Sequence, residues 1–281
     1  MPESAQMVTP AQRKWLPWLT AVGFFMQTLD GTILNTALPN MAETLGESPL
    51  QMQSVVIAYM LTVALLIPAS GWLADRFGTR RIYLAAILLF TLGSLACAAA
   101  NTLPMLVAAR VLQGVGGALL MPIGRLAVLR VYSKHELLRV MSFVTIPGLV
   151  GPLIGPALGG WLVEVASWHW VFLINLPVGI LGFIASWYFM PDLRQGTATF
   201  DWQGFVMFSA GMVLVSVGLQ GLGEHSISTG WALFALLSGL AAMASYWLYA
   251  ANAEQPLFSL ALFKTSTFAI GVWGNLFARL G

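Results

Sequence analysis

Charge is scarce in this sequence. Of its 281 residues only 9% are Asp, Glu, Lys or Arg, while 58% are hydrophobic and the mean hydropathy is +0.80. A soluble domain carries roughly 25% charged residues, so too few are present to cover a water-facing surface. The chain reads as an all-α integral membrane protein with the lipid bilayer as its solvent. Other absences narrow its function. The single cysteine, Cys97, lies in an apolar run, which excludes a disulfide framework and a cysteine metal site. The three histidines, His135, His169 and His225, fall in different expected loops and form no ligand cluster. None of the three lysines, Lys14, Lys134 and Lys264, follows a Gly-x-x-x-x-Gly pattern, so there is no phosphate-binding loop and no ATPase signature. With no nucleophile–base pair visible either, an enzyme is not expected, nor a metal or any cofactor. The net charge of +2 gives no reason to expect a nucleic-acid partner.

What is present is a succession of apolar runs near 15–38, 50–73, 82–100, 103–130, 139–163, 168–190, 202–222 and 230–250, each about the 20 residues a membrane helix needs. A ninth run starts near 267. The basic residues fit eight spans with the N-terminus in the cytoplasm. Arg13, Lys14, Arg76, Arg80, Arg81, Arg130, Lys134, Arg139, Arg194 and Lys264 then all fall inside. The outside connections near 39–49, 101–102, 164–167 and 223–229 hold Glu43, Glu47, Glu164 and Glu224 but neither Lys nor Arg. That asymmetry is the positive-inside pattern of a multi-pass protein of the cell (inner) membrane. Residues 1–190 are expected to form a six-helix bundle, 191–201 a polar cytoplasmic linker, and 202–250 two further helices. Residues 251–281 would hold a tether or interfacial helix and the start of a second bundle.

"GWLADRFGTRRIYL" from Gly71 and "GWLVEVASWHWVFL" from Gly160 align Trp72 with Trp161, Leu73 with Leu162 and Asp75 with Glu164. One copy closes the second span and the other the fifth, on opposite faces. Helices one to three and four to six therefore read as inverted repeats, a construction typical of secondary transporters. The first copy places Gly71, Asp75, Arg76, Gly78 and Arg80 in a tight cytoplasmic turn, where the glycines let backbone pass closely and Asp75 pairs with arginines on neighbouring helix ends. In "GLVGPLIGPALGG" (148–160), Gly151, Gly155 and Gly159 recur every four residues and make a smooth face for a neighbouring helix. Pro152 and Pro156 between them remove backbone donors and favour a kink, and Gly160 closes the motif.

These stretches carry a resemblance. "GWLADRFGTRR" resembles the signature between helices two and three of the major facilitator superfamily, and "LVAARVLQGVGGA" (106–118) its fourth-helix motif, with Arg110 as the buried arginine. The 148–160 stretch resembles the fifth-helix motif of proton-driven exporters, and "LDGTILNTALP" (29–39) the first-helix motif of the fourteen-helix drug:proton antiporter family. The resemblance implies a proton-coupled antiporter exporting hydrophobic or amphipathic compounds, with the Gly71–Arg80 turn acting as a latch on the cytoplasmic face. It also implies a second six-helix bundle. The chain stops where that bundle would begin, so it is expected to be incomplete or to work with a missing partner. An exporter of one metabolite, or a membrane scaffold or sensor that moves nothing, are the alternatives.

One residue stands out. Asp30 sits in the middle of the first apolar run, roughly 13 Å before Pro39 at 1.5 Å per residue, and Arg110 lies roughly 10 Å after Leu103. Counted from the same membrane face, they reach similar depth. A charge there costs at least roughly 2.5–3.5 kcal/mol on insertion scales and usually faces the bundle interior for functional reasons. Burial favours the neutral acid and a neighbouring guanidinium favours the carboxylate, so a rearrangement between them would bind and release a proton. Asp30 and Arg110 are the expected proton-coupling pair, with Gln27, Asn35 and Gln113 as candidate substrate-pocket residues.

Overall fold

In the computed structural model, residues 8–195, 199–224 and 228–253 are described, with scattered positions between 256 and 274. Most of the expected 251–281 segment, Lys264 and His225 therefore lie outside the described residues. Every regular element among the described residues is helical: α1 (Pro10–Leu45), α2 (Gln53–Leu66), α3 (Ser70–Phe77), α4 (Thr79–Ala98), α5 (Leu103–Val131), α6 (Lys134–Val165), α7 (His169–Leu173), α8 (Asn175–Phe189), α9 (Trp202–Glu224) and α10 (Thr229–Ala250). The chain divides into two units, Met1–Thr197 and Ala198–Gly281. In the second unit, α9 and α10 pack against each other.

Local signals set the helix starts. Thr9 accepts from the Gln12 amide while the Gln12 side chain accepts from the Thr9 amide, a reciprocal cap with Pro10 in the first turn. Gly46, at φ +68°, ends α1. Ser133 starts α6 by donating both its amide and its hydroxyl to the Glu136 carboxylate. The second expected span is broken: a 3-10 turn at Ile67–Ala69, containing Pro68, joins α2 to α3. The sixth is broken at Ile174, between α7 and α8.

Seven segments are long and apolar enough to cross a membrane: Gln53–Phe77, Thr79–Ala98, Leu103–Val131, Lys134–Val165, His169–Phe189, Trp202–Gly223 and Thr229–Ala250. By apolarity alone the count among the described residues is thus seven, not the expected eight. The helix that drops out is α1. It is 36 residues long, but Gln27, Asp30 and Asn35 dilute its apolar run. It is instead the helix around which the first unit is built, packing along α6, α5 and α8.

The packing pairs α1 with α6 and α2 with α5; α4 with α5 and α8 with α1; α1 with α5 and α4 with α8. Exchanging the first three spans for the second three returns the same set of pairs, as an inverted repeat requires. The α1–α6 contact explains the glycine motif. A Cβ on Gly151 would sit 2.5 Å from Thr28 Oγ1, one on Gly155 2.3 Å from Thr32 Oγ1, and one on Gly159 2.4 Å from Thr36 Oγ1. The three threonines return their hydroxyls to carbonyls of their own helix, so a threonine stripe lies flat against a glycine stripe. Pro152 and Pro156 point outward, and α6 runs unbroken through both. Gly160 departs from the stripe, since a side chain there would meet nothing within 4 Å. Gly151→Leu is therefore expected to cost about 1–3 kcal/mol through overpacking, and Gly160→Leu to leave the melting temperature in detergent unchanged. Equal effects of the two would refute this account of the seam.

Candidate functional site

Asp30 and Arg110 are each 1% exposed and form an ion pair, Arg110 Nη1 to Asp30 Oδ2 at 2.7 Å. The same nitrogen donates to Gln113 Oε1 at 2.7 Å. The Gln113 amide donates in turn to Asp30 Oδ1 at 2.7 Å and to Ser94 Oγ at 2.8 Å. Asn175 donates to Asp30 Oδ1 at 3.2 Å and to Ser94 Oγ at 3.3 Å. Arg110 is completed by the Val55 carbonyl, 3.4 Å from Nε, and by the faces of Tyr59 and Phe172, 4.2 and 5.8 Å from Cζ. Five of the first six spans thus contribute. The network lies where two apolar cores meet, one including Leu16, Tyr83, Phe90 and Leu120, the other Leu34, Met41, Leu106 and Phe172.

The helices approach closely enough because glycine faces the network. A Cβ on Gly93 would lie 2.5 Å from the Gln113 Cα, so any larger residue would push α4 off α5. The Tyr59 hydroxyl is buried with no hydrogen-bond partner. It is the polar atom beside the guanidinium that no neighbour satisfies.

Of the sequence candidates, Asp30, Arg110 and Gln113 come together. Gln113 is wholly enclosed, so in this conformation it braces the charged pair and does not line an open pocket. Gln27 stands apart from the network, with its side-chain oxygen buried and unpartnered. Asn35 is exposed, and among the described residues no hydrogen bond joins it to Asp30. Ser94, Asn175 and Tyr59 carry no charge to mark them in the sequence. Ser94 and Asn175 are nonetheless polar interruptions of apolar runs, the one signal that could have found them.

A family model described as Major Facilitator Superfamily matches residues 20–280. This chain belongs to the Major Facilitator Superfamily. It is 55% identical to a protein of Pectobacterium atrosepticum named "Putative multidrug resistance protein MdtD", over 98% of this chain and 59% of that one. The protein of the same name in Serratia proteamaculans is 51% identical, over 96% of this chain and 57% of that one. The chain thus spans about three fifths of the length of the curated relatives it matches. Among solved structures, the POT family transporter PepTSo superposes with a TM-score of 0.64 at 14% identity, covering 94% of this chain and 58% of that one. A bacterial homolog of the human lysosomal transporter Spinster, in an inward-facing conformation, gives 0.54 at 18% identity, over 85% of this chain and 61% of that one. These two likenesses concern the fold alone.

The superfamily's turn between the second and third spans is held from two sides. Asp75 pairs with Arg130 at the end of α5, which is 7% exposed at its side chain. Arg80 donates to the Trp187 carbonyl and lies over the Trp187 ring, while Arg76 lies over Trp72. Gly78, at φ +92°, occupies a conformation open to glycine, and a Cβ there would be 1.9 Å from Asp192 Oδ1. The chain beyond α8 runs back over this turn. Thr79 donates its amide to the Leu193 carbonyl at 3.2 Å and its hydroxyl to the Pro191 carbonyl at 2.7 Å. The start of the 191–201 linker thus packs on the first unit, which extends to Thr197. Gly71 corrects an expectation: no atom lies within 4 Å of a Cβ placed there, so no close backbone passage within this unit requires it.

Proposed function

We propose that this chain forms the first six-helix bundle and two additional helices of a proton-coupled antiporter. That antiporter exports hydrophobic or amphipathic compounds across the cytoplasmic membrane, with its N-terminus inside, and works together with a second six-helix bundle. The observation that carries the reading is the buried Asp30–Arg110 pair, suspended between five spans on neutral hydrogen-bonding groups. A titratable acid so placed exchanges a proton only when the helices around it move, which is how a proton is coupled to alternating access. The multidrug-resistance names of its relatives support the substrate class. One observation favours a scaffold instead: both oxygens of Asp30 are already engaged, as in a permanent ion pair.

The test uses everted vesicles containing the complete protein, acidified inside, and a neutral dye such as Nile red, which a pH gradient does not itself concentrate. Dye accumulation that collapses when the gradient is dissipated is the expected result. Uptake indifferent to the gradient would reject proton coupling.

The cytoplasmic turn supplies a second expectation. Asp75→Asn removes the one carboxylate that pairs with Arg130 among the described residues, and Arg130 Nη1 is already buried without a hydrogen-bond partner. Asp75 is 30% exposed at its side chain, so solvent moderates the loss to about 1–3 kcal/mol. If the turn is also the latch of the transport cycle, efflux per folded molecule falls in the complete protein while insertion stays normal. A lowered melting temperature with unchanged turnover would make Asp75 a structural residue only.

A further inference from the structure

Three arginines lie on α5, and two have a carboxylate: Arg110 pairs with Asp30 and Arg130 with Asp75. The third, Arg125, is half-buried and makes no ion pair among the described residues. Its Cζ lies 5.2 Å from the centroid of the Phe24 ring. An arginine near the end of a span ordinarily extends toward the headgroups. Arg125 does the reverse. Helices α1 and α5 run antiparallel, since a Cβ on Gly124 would touch Thr20 while Arg110 and Gln113 bond Asp30. Phe24 lies four residues beyond Thr20 in the direction of Asp30, so the guanidinium reaches back along α1 toward the middle of the helix.

The face of α1 that continues from Phe24 is open. Gln27, Gly31 and Asn35 are four residues apart and share one side of the helix. Gln27 Oε1 is buried with no partner, a Cβ on Gly31 would meet nothing within 4 Å, and Asn35 is exposed. The flanking faces are filled, by the Asp30 network on one side and by the α6 glycine stripe on the other. The six-helix unit therefore leaves a strip in which a buried, unsatisfied amide oxygen and a cation with no ion pair among the described residues flank the Phe24 ring, which itself packs on Gly148 of α6.

We propose that Phe24, Gln27 and Arg125 form a subsite for the anionic group of an aromatic amphipathic substrate. The substrate carboxylate takes N–H bonds from Arg125, its ring lies in the apolar seam beside Phe24, and Gln27 Oε1 accepts from any donor it carries. This rests on the transporter reading, since the ligand is the cargo. A buried or half-buried guanidinium selects for an anion because the desolvated cation is stabilised only by an opposite charge.

The test measures binding to the purified complete protein by isothermal titration calorimetry, with para-butylbenzoate and its neutral isostere para-butylbenzamide. Wild type is expected to prefer the benzoate. Arg125→Gln is expected to lower the benzoate-to-benzamide affinity ratio about tenfold or more, the loss of one charge-assisted contact, and Arg125→Lys to keep part of the preference. If Arg125→Gln does not fold, Gln27→Leu reads the same subsite without changing any charge: it removes the acceptor that only the benzamide NH2 can use, and lowers benzamide affinity about fivefold while leaving benzoate affinity unchanged. Equal affinity of wild type for both probes overturns the proposal. So does a ratio that Arg125→Gln leaves intact while lowering the melting temperature, which would give Arg125 a carboxylate of the second bundle as its partner. Gradient-driven Nile red uptake, measured on the same preparations, judges the transport reading separately.

Discussion

Asp30→Asn is expected to abolish gradient-driven efflux in the complete protein, lowering the initial rate by at least about a hundredfold, while gradient-independent binding of neutral compounds survives. Asp30 accepts at Oδ2 from Arg110 and at Oδ1 from Gln113 and Asn175. All three partners are donors, so the site as built accommodates only an acceptor on each oxygen. We propose that Arg110 withdraws from Asp30 when the acid takes up a proton.

Arg110 has somewhere to go. It already donates to Gln113 Oε1 and the Val55 carbonyl and lies over Tyr59, so it can leave the carboxylate without losing every partner. In that reading the acid and the arginine exchange partners: proton on, guanidinium off. Their anchors lie on different spans, so this exchange alters how α1, α2 and α5 are held to one another. An asparagine mimics the protonated acid permanently. Its NH2 group faces a donor in either flip, so the substitution also lowers stability, by about 1–3 kcal/mol. Rates must accordingly be normalised to folded protein. Residual concentrative efflux of Nile red by Asp30→Asn, driven by protons alone, would show Asp30 to be structural.

The pair was legible because charge is so scarce that any charge within a span demands a reason. Depth could then be counted from each helix end without knowing which helices touch. The glycine stripe was legible from its period of four, though the sequence does not say which neighbour it meets; the structure supplies α1 and its threonines. Glycine alone did not reveal its own reason. Gly78 and Gly151 are crowded, whereas Gly71 and Gly160 face open space. Asn175 and Ser94 escaped because an uncharged polar residue costs little in a helix and shows only as an interruption of an apolar run until its partners are placed. Arg125 lies only five residues before Arg130, and that proximity disguises it as part of the basic helix end. The break at Ile67–Ala69 contains Pro68 and the one at Ile174 lies three residues before Pro177, and apolar periodicity passes straight over both.

Arg110→Leu is expected to be the most destabilising single substitution in the first unit, costing about 3–5 kcal/mol, because it strands a buried carboxylate. Asp30 would keep only the Gln113 and Asn175 amides, at 2.7 and 3.2 Å, and neither carries a charge. Leucine also leaves part of the guanidinium's space beneath Tyr59 unfilled, adding a cavity term. Thermal unfolding in detergent measures the loss. The double variant Asp30→Asn/Arg110→Leu separates the causes. Removing both charges removes the stranded anion, so the double variant should be more stable than the sum of the two single losses predicts, by about 0.5–3 kcal/mol. Transport should not return with that stability. If it did, the pair would serve only to lock α1 to α5, and a neutral substitute would suffice. If Arg110→Leu melted like wild type, the network would not be what holds the five spans together. A double variant that folds but does not respond to the pH gradient is the result that assigns the pair to coupling.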